Sequence, residues 1–260
     1  MNNNIKAQAQ YKPKISVVLP TYNERGNIND LVSELRVYIS NHITDSFELI
    51  IVDDDSPDLT WKVVQDYYVN EPRVKVIRRL EERRLASAIW KGIQEAKGDI
   101  IAWMDCDFSM PTFKLVELIK KIDEGYDVVV GSRFIKGGKD IRGHTDSWLV
   151  IILSRMMNTF ISFVLDRSFK DYTSGFVAVR KNVFEKIQIK GDYGEYCIDF
   201  IYNVRKRGYK TIELPYYCLP RRSGDSKTGD NLMDYLKRGW KYILLTLRLR
   251  LKGNNFYWEK

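Results

Sequence analysis

With 260 residues, 44% of them hydrophobic, the chain is long and apolar enough to bury a full core, as one large domain or one domain with an appendage, which excludes disorder as its general state. Lysines and arginines number 42 against 34 aspartates and glutamates, a basic balance that suits an anionic partner: nucleic acid, a membrane surface or a phosphorylated substrate. Three cysteines, Cys106, Cys197 and Cys218, are odd in number and widely spaced with no Cys-x-x-Cys pair, so neither a disulfide framework nor a zinc site is expected and a reducing cytosol fits.

Residues 1–14 read as a flexible N-terminus; the first ten are polar and lack the apolar stretch of a secretory signal, so the folded part is expected in the cytoplasm. Residues 15–19 are a buried-strand run, ended by Pro20-Thr21-Tyr22-Asn23-Glu24 and followed by a helical pattern through Ile28, Leu31, Leu35 and Ile39. The same grammar repeats. A strand over 47–52 runs into Asp53-Asp54-Asp55-Ser56-Pro57-Asp58 and a helix carrying Trp61, Val64 and Tyr68. A strand over 74–77 precedes a helix over about 85–96, and a fourth strand over 99–104 ends in Asp105-Cys106-Asp107. Strands alternating with helices predict a parallel sheet covered on both faces.

Three successive strands thus end in acidic or polar loops, and in a parallel sheet those ends share one edge, where ligands of open α/β sheets collect. If strand alternation continues through Met104, Asp105 and Asp107 face the same way. Two carboxylates so close repel each other unless a cation sits between them, and a hard divalent ion carrying substrate phosphates answers that need. The competing reading is two acids ending a strand in a solvated turn. Neither Gly-x-Gly-x-x-Gly nor Gly-x-x-x-x-Gly-Lys-Ser/Thr occurs, so no glycine loop offers a phosphate cradle.

A strand over 127–130 leads to Gly131-Ser132-Arg133-Phe134, where Arg133 either reaches a phosphate or makes a surface ion pair. The apolar stretch 148–165 is interrupted by Arg155 and Asn158, which argues for a buried or interfacial helix over a membrane span. Asp171-Tyr172-Thr173-Ser174-Gly175-Phe176 opens a short strand over 177–179. In a helix over about 195–207, Glu195 and Asp199 lie at i and i+4, on one face. An edge-like strand over 211–215 is followed by the loop Arg221-Arg222-Ser223-Gly224-Asp225-Ser226-Lys227, of a kind that folds over an anion. Over 231–252, Leu232, Tyr235, Leu236, Trp240, Ile243, Leu244, Leu247 and Leu251 form an apolar stripe among basic neighbours, as in a helix lying on an anionic membrane or docking on a partner.

Six of these blocks, 20–24, 52–58, 104–109, 131–134, 171–176 and 221–227, together resemble the dolichyl-phosphate mannosyltransferases, inverting glycosyltransferases of family 2, in the right order from about residue 15 to 227. The resemblance implies a GT-A fold, Rossmann-like with a mostly parallel sheet and helices on both faces, over 15–228, and an amphipathic tail over 229–260. It implies a nucleotide-sugar donor, GDP-mannose before UDP-glucose, a dolichyl or other polyprenyl phosphate acceptor, and Mg²⁺ or Mn²⁺. Pro20, Tyr22, Glu24, Asp53, Asp55 and Asp105 match the nucleotide side. Asp105 and Asp107 match the metal pair, with Asp107 as the direct ligand and Ser109 where some relatives have Gln. Arg133, Arg221, Ser226 and Lys227 match the acceptor-phosphate residues, and Asp107, Arg133, Arg221 and Lys227 the catalytic set. The chain departs from the pattern at Leu59, where the family commonly has Gly, and at Arg84-Leu85, where it has Gly-Leu. Some relatives carry carboxyl-terminal transmembrane helices, which this sequence lacks. A peripheral anchor, a separate membrane subunit or a longer parent chain each accounts for that.

The reaction so implied transfers a hexose at the cytoplasmic membrane surface. A phosphate acceptor, with a second pKa near ~6, is already a dianionic nucleophile, so a chain with only His42 and His144 needs no strong general base. A glycan hydroxyl acceptor would need one, for which Glu195 or Asp199 stands ready. A basic nucleic-acid-binding protein is the remote alternative, disfavoured because acidic strand-end loops would repel a phosphate backbone, and no nucleic-acid partner is expected.

Overall fold

The computed structural model describes residues 13–142, 148–224 and 232–252. Apolar runs become strands where both faces are covered. Ile15–Thr21 (β1), Phe47–Asp53 (β2) and Ile100–Trp103 (β4) are buried almost throughout and lie side by side in parallel, with Val74–Arg78 (β3) on the outer edge beside β2. The sheet continues past β4 through Val177–Arg180 (β7), Val128–Ser132 (β5) and Thr211–Pro215 (β8), in the order β3-β2-β1-β4-β7-β5-β8. Only β7 runs against its neighbours, so the sheet is mostly parallel as expected. A two-residue parallel ribbon, Lys139–Asp140 (β6) with Tyr217–Cys218 (β9), closes one end.

Helices cover both faces. Ile28–His42 (α1), Thr60–Tyr67 (α2) and Thr112–Asp123 (α4) form one layer with the core of Val17, Leu19, Leu49, Ala102 and Phe176. Leu85–Glu95 (α3), Trp148–Val164 (α5), Glu195–Lys206 (α6) and Leu232–Lys252 (α7) share the opposite core with Val18, Ile50, Ile101, Trp103 and Val130. The strand and helix pattern read from the sequence does not include α4. Its buried residues Leu115, Val116, Leu118, Ile119 and Ile122 follow helical spacing directly after Pro111, whose ring suits a helix start. The expected C-terminal helix forms, but it is joined to the domain: Leu245, Thr246 and Leu249 are buried, and Tyr202 of α6 donates its hydroxyl to Leu249 O at 3.1 Å.

Close packing of α3 on the sheet depends on Gly92, where an added Cβ would stand 2.3 Å from Val18 Cγ1 and 3.0 Å from Cγ2. Gly92→Ala is therefore expected to destabilise by about 1–3 kcal/mol through overpacking, although alanine is the better helix former. Urea melts of Gly92→Ala, Val18→Ala and the pair check this: the double variant should lose less than the sum of the singles, and strict additivity refutes the contact.

Candidate active site

The C-terminal ends of β1, β2 and β4 meet on one edge and open into a cavity of about 970 Å³. Pro20, Tyr22, Glu24, Asp54, Asp105 and Asp107 form its acidic wall, and Arg133, Arg142 and Arg221 face them. Backbone at positive φ marks these loops: Asn23 at 55°, Asp55 at 56° and Phe108 at 65° hold left-handed conformations that L side chains seldom take.

The acidic pair does not continue strand alternation. β4 ends at Trp103, so Asp105 and Asp107 are brought to the cavity by a turn through Phe108. Asp107 is buried; its Oδ1 accepts the Ser109 amide at 2.9 Å and its Oδ2 lies 2.9 Å from Arg221 Nη2. Arg221 Nη1 donates to Glu24 Oε1 at 2.9 Å, so one guanidinium bridges two acids from different loops. Burial and the charge of Asp107 push the Asp105 carboxyl from 3.8 up to about 7, against the pull of Arg221. A desolvated carboxylate beside a second one is a donor set that gains from a hard divalent cation, which fits Mg²⁺ or Mn²⁺. Among the described residues no group of three or more acidic, histidine or cysteine side chains forms a ready cage, so diphosphate oxygens and water are left to complete any coordination.

The nucleotide-side acids divide. Glu24 faces the cavity with Oε2 accepting Asn27 Nδ2 at 2.8 Å. Asp53 does not line it: fully buried, it accepts Thr21 Oγ1 at 2.9 Å, the Ser56 amide at 2.8 Å and Ser56 Oγ at 2.7 Å, tying the β1 and β2 loops together. Asp55 is likewise outside the lining, paired with Arg78 at 2.6 Å and Arg83 at 3.4 Å. Their neighbour Asp54, not singled out from the sequence, is the member of that run in the wall. Burial raises its carboxyl to about 6 even though Arg79 sits 2.5 Å away. β2 ends at Asp53, so Asp54 is the first residue of the loop and reaches the cavity that the buried Asp53 does not.

Arg133 reaches the cavity but is already held. Its Nε and Nη2 grip Asp171 at 2.8 and 2.7 Å, and Nη2 also donates to Thr173 Oγ1 at 3.0 Å. Beside it Arg142, also missed from the sequence, is clasped by Asp140 at 2.9 and 2.6 Å. Ser226 and Lys227 lie outside the described residues. Both departures noted in the sequence acquire a structural meaning. Leu59 has φ 62°, the conformation glycine takes without strain, so the substitution changes a turn and nothing in the cavity wall. Arg84 precedes α3 and reaches across the cavity mouth to Asp192 at 2.8 Å, a span glycine cannot make.

Neither Glu195 nor Asp199 lines the cavity. Glu195 accepts the Asp192 and Tyr193 amides at 3.0 and 3.2 Å at the start of α6, and Asp199 accepts Asn203 Nδ2 at 3.1 Å. The far end of the cavity is apolar, made by Leu153 and Met157 of α5 with Trp240 and Ile243 of α7.

The family model for glycosyl transferase family 2 matches residues 16–188. The chain belongs to glycosyl transferase family 2. A dolichol-phosphate mannosyltransferase of Pyrococcus furiosus is 36% identical over 235 residues, which are 88% of this chain and 64% of that protein, so this chain spans less than two thirds of that relative. A polyprenol monophosphomannose synthase of Mycolicibacterium smegmatis is 31% identical, covering 84% of this chain and 82% of that one. Among solved structures, glucosyl-3-phosphoglycerate synthase from Mycobacterium tuberculosis superposes with a TM-score of 0.66 at 18% identity, covering 92% of this chain and 80% of that one; at that identity the likeness is one of fold.

Burial pushes the Asp199 carboxyl from 3.8 to about 6, against the Asn203 amide and Lys190. A folded pKa above the unfolded one favours the native state when the acid is protonated, so this stabilisation is complete below about pH 4 and is lost as pH rises through about 6. Asp199→Asn, which removes the charge, is expected to raise Tm at pH 8 and to leave it unchanged near pH 4. A Tm lowered at pH 8 refutes the assignment.

Proposed function

We propose that this family 2 chain transfers a hexose, mannose from GDP-mannose, to dolichyl or another polyprenyl phosphate at the cytoplasmic face of a membrane. The observation that carries the reading is the single cavity that is acidic at one end, between Glu24, Asp105 and Asp107, and apolar at the other, between α5 and α7, with Arg133 and Arg142 along its wall. A nucleotide sugar and a lipid phosphate need those two ends to adjoin. The similarity to the Pyrococcus and Mycolicibacterium proteins, named for polyprenyl-phosphate mannosyl transfer, supports the same substrates.

In this mechanism Asp105 and Asp107 would hold Mg²⁺ or Mn²⁺, which would supply positive charge to the diphosphate leaving group. Tyr22, Glu24 and Asp54 border the nucleotide, with the Arg83 guanidinium 5.8 Å from the Tyr22 ring centroid. Arg133 is fixed by Asp171 and so presents its remaining N–H groups to the acceptor phosphate without reorganisation. Ser226 and Lys227 belong to the same acceptor role. The phosphate is itself the nucleophile, a dianion at neutral pH, attacking the anomeric carbon from the face opposite the leaving group and inverting it. That Glu195 and Asp199 are not among the cavity's lining residues supports a phosphate over a hydroxyl acceptor, which would need such a base.

A lipid acceptor requires the cavity to open at the bilayer. Along α5, Ile152, Met156 and Phe163 are exposed at helical spacing, the last two by 62% and 63%; along the adjoining α7, Trp240, Leu247 and Leu251 are exposed, by 60% for Trp240. Ile243 and Leu244, expected from the sequence to enter the headgroup region, are half-buried instead, and Ile243 faces the cavity. No helix of the described residues is long and apolar enough to cross a membrane. Peripheral attachment through this face, or docking on a separate membrane subunit, is part of the proposal.

The deciding assay incubates the protein with a panel of labelled nucleotide sugars, GDP-mannose and UDP-glucose first, plus polyprenyl phosphate, and counts organic-extractable label. Asp107→Ala is expected to lower transfer on the order of a thousandfold or more while the fold survives, because a ligand acting on the leaving group is lost from a loop and not from the core. Full activity in that variant, or indifference to EDTA, refutes the metal role.

Liposome flotation tests the membrane face. Binding should rise with anionic lipid, at about 1 kcal/mol per nearby lysine or arginine, and fall with salt. It should drop when Trp240 and Leu247 are both replaced by Glu. Protein that ignores every lipid composition refutes peripheral attachment and leaves the partner subunit.

A further inference from the structure

Arg221 stands where the acidic wall most needs positive charge. Its Nη1 is 2.9 Å from Glu24 Oε1 and its Nη2 is 2.9 Å from Asp107 Oδ2, with only a fifth of its side chain exposed. The other oxygen of Asp107 is taken by the Ser109 amide at 2.9 Å. Each carboxylate oxygen of the proposed metal ligand therefore already has one partner, a backbone donor that belongs to the loop on Oδ1 and a charged side chain that can leave on Oδ2. Mg²⁺ binds an oxygen ligand at roughly 2.0–2.1 Å. A divalent ion on Oδ2 would sit within a few ångströms of the guanidinium, and two cations so close repel each other in a desolvated wall, so each weakens the hold of the other.

We infer, on the reading proposed above, that Arg221 is the counter-cation of this acidic wall and a competitor of the metal. Its guanidinium bridges Glu24 and Asp107 until Mg²⁺ or Mn²⁺ arrives with the diphosphate, then swings onto phosphate oxygens. The movement is confined to the side chain because the backbone around it is pinned. Leu219 N donates to Ser109 O at 2.9 Å and Arg222 N to Asp107 O at 3.0 Å, while Asn27 Nδ2 holds Ser223 O at 3.0 Å. The Arg222 guanidinium lies 3.4 Å over the Phe108 ring centroid, a further clamp between the two loops. Arg221 is thus a positioning residue twice over: it keeps two acids from repelling each other when no donor is bound, and it is released toward phosphate only when the donor brings its own cation. Metal without diphosphate has to displace it with no phosphate to receive it, so the enzyme binds bare metal weakly and donor with metal together.

The test is a nucleotide-free Mn²⁺ titration, read by the loss of the free-ion EPR signal, on wild type, Arg221→Gln, Arg221→Lys and Asp107→Asn, with circular dichroism melts confirming the fold of each. Arg221→Gln is expected to bind Mn²⁺ tighter than wild type by about tenfold or more, the worth of one charge-assisted contact. Arg221→Lys keeps the charge but cannot bridge both acids, so its affinity should fall between the two. Asp107→Asn should bind weakest of all. A folded Gln or Lys variant that binds Mn²⁺ no tighter than wild type overturns the inference. Wild type and Asp107→Asn binding equally would instead overturn the metal site on which it rests, so the two failures are distinguishable.

Discussion

The site depends on keeping several carboxylates at one sheet edge in a folded, partly desolvated wall. Glu24 comes from the loop after β1, Asp54 from that after β2, and Asp105 and Asp107 from that after β4, because parallel strands deliver their C-terminal loops to one place. Left alone this cluster would resist folding through its own repulsion. Arg79 beside Asp54 and Arg221 between Glu24 and Asp107 offset it. Each contributes by preventing an uncompensated buried charge, a larger matter than the modest net gain of an ion pair. Asp105 is the member with least compensation, and its carboxyl is the one driven furthest up toward neutrality.

A second buried network, of opposite emphasis, sets the other wall. Arg133 and Arg142 are clasped by Asp171 and Asp140, whose side chains are almost fully buried. Asp171 is itself held through its amide by Glu213 of β8, at 2.9 Å, so the strand at the sheet's edge orients an arginine in the cavity through one intermediary. Fixed guanidiniums of this kind meet a phosphate with little further loss of side-chain freedom, which distinguishes them from surface lysines of equal charge.

Much of this was legible in the chain. Apolar runs at 15–19, 47–52 and 99–104 identified the central strands, and the acidic residues after them identified the edge. Six short blocks together pointed to the family, and none of them would have alone. What escaped were facts made by long-range geometry. Asp53 and Asp54 are equally acidic in sequence, and only where β2 ends decides that one laces Thr21 to Ser56 while the other meets the cavity. Asp171 was visible in its block, but not as the partner of Arg133, which lies 38 residues away. The insertion of β7 antiparallel between β4 and β5 follows from no local pattern, since Val177-Ala178-Val179 is compatible with either direction. Glu195 and Asp199 share a helix face as their spacing requires, yet neither lines the cavity.

The helix α7 links the two ends of the problem. Read from sequence it is an apolar stripe with basic flanks, which membrane, partner and core all satisfy. The fold divides its residues among three tasks: Leu245 and Leu249 pack into the core shared with α6, Gly239 and Ile243 border the cavity, and Leu247 and Leu251 remain exposed. Trp240 does two of these at once, lining the cavity mouth while more than half of it stays open to solvent. A residue in that position is open both to the cavity and to the outside. The same helix also carries Lys241 toward Asp192 at 3.7 Å, and Asp192 is the residue that Arg84 reaches from the opposite lip. The mouth is therefore spanned by a charged link between α3 and α7 just where the chain departs from its family's Gly-Leu. Such an exposed, salt-screened contact contributes little to stability. Its physical consequence is local: Asp192 sets the spacing between Arg84 at the start of α3 and Lys241 of α7 across the mouth.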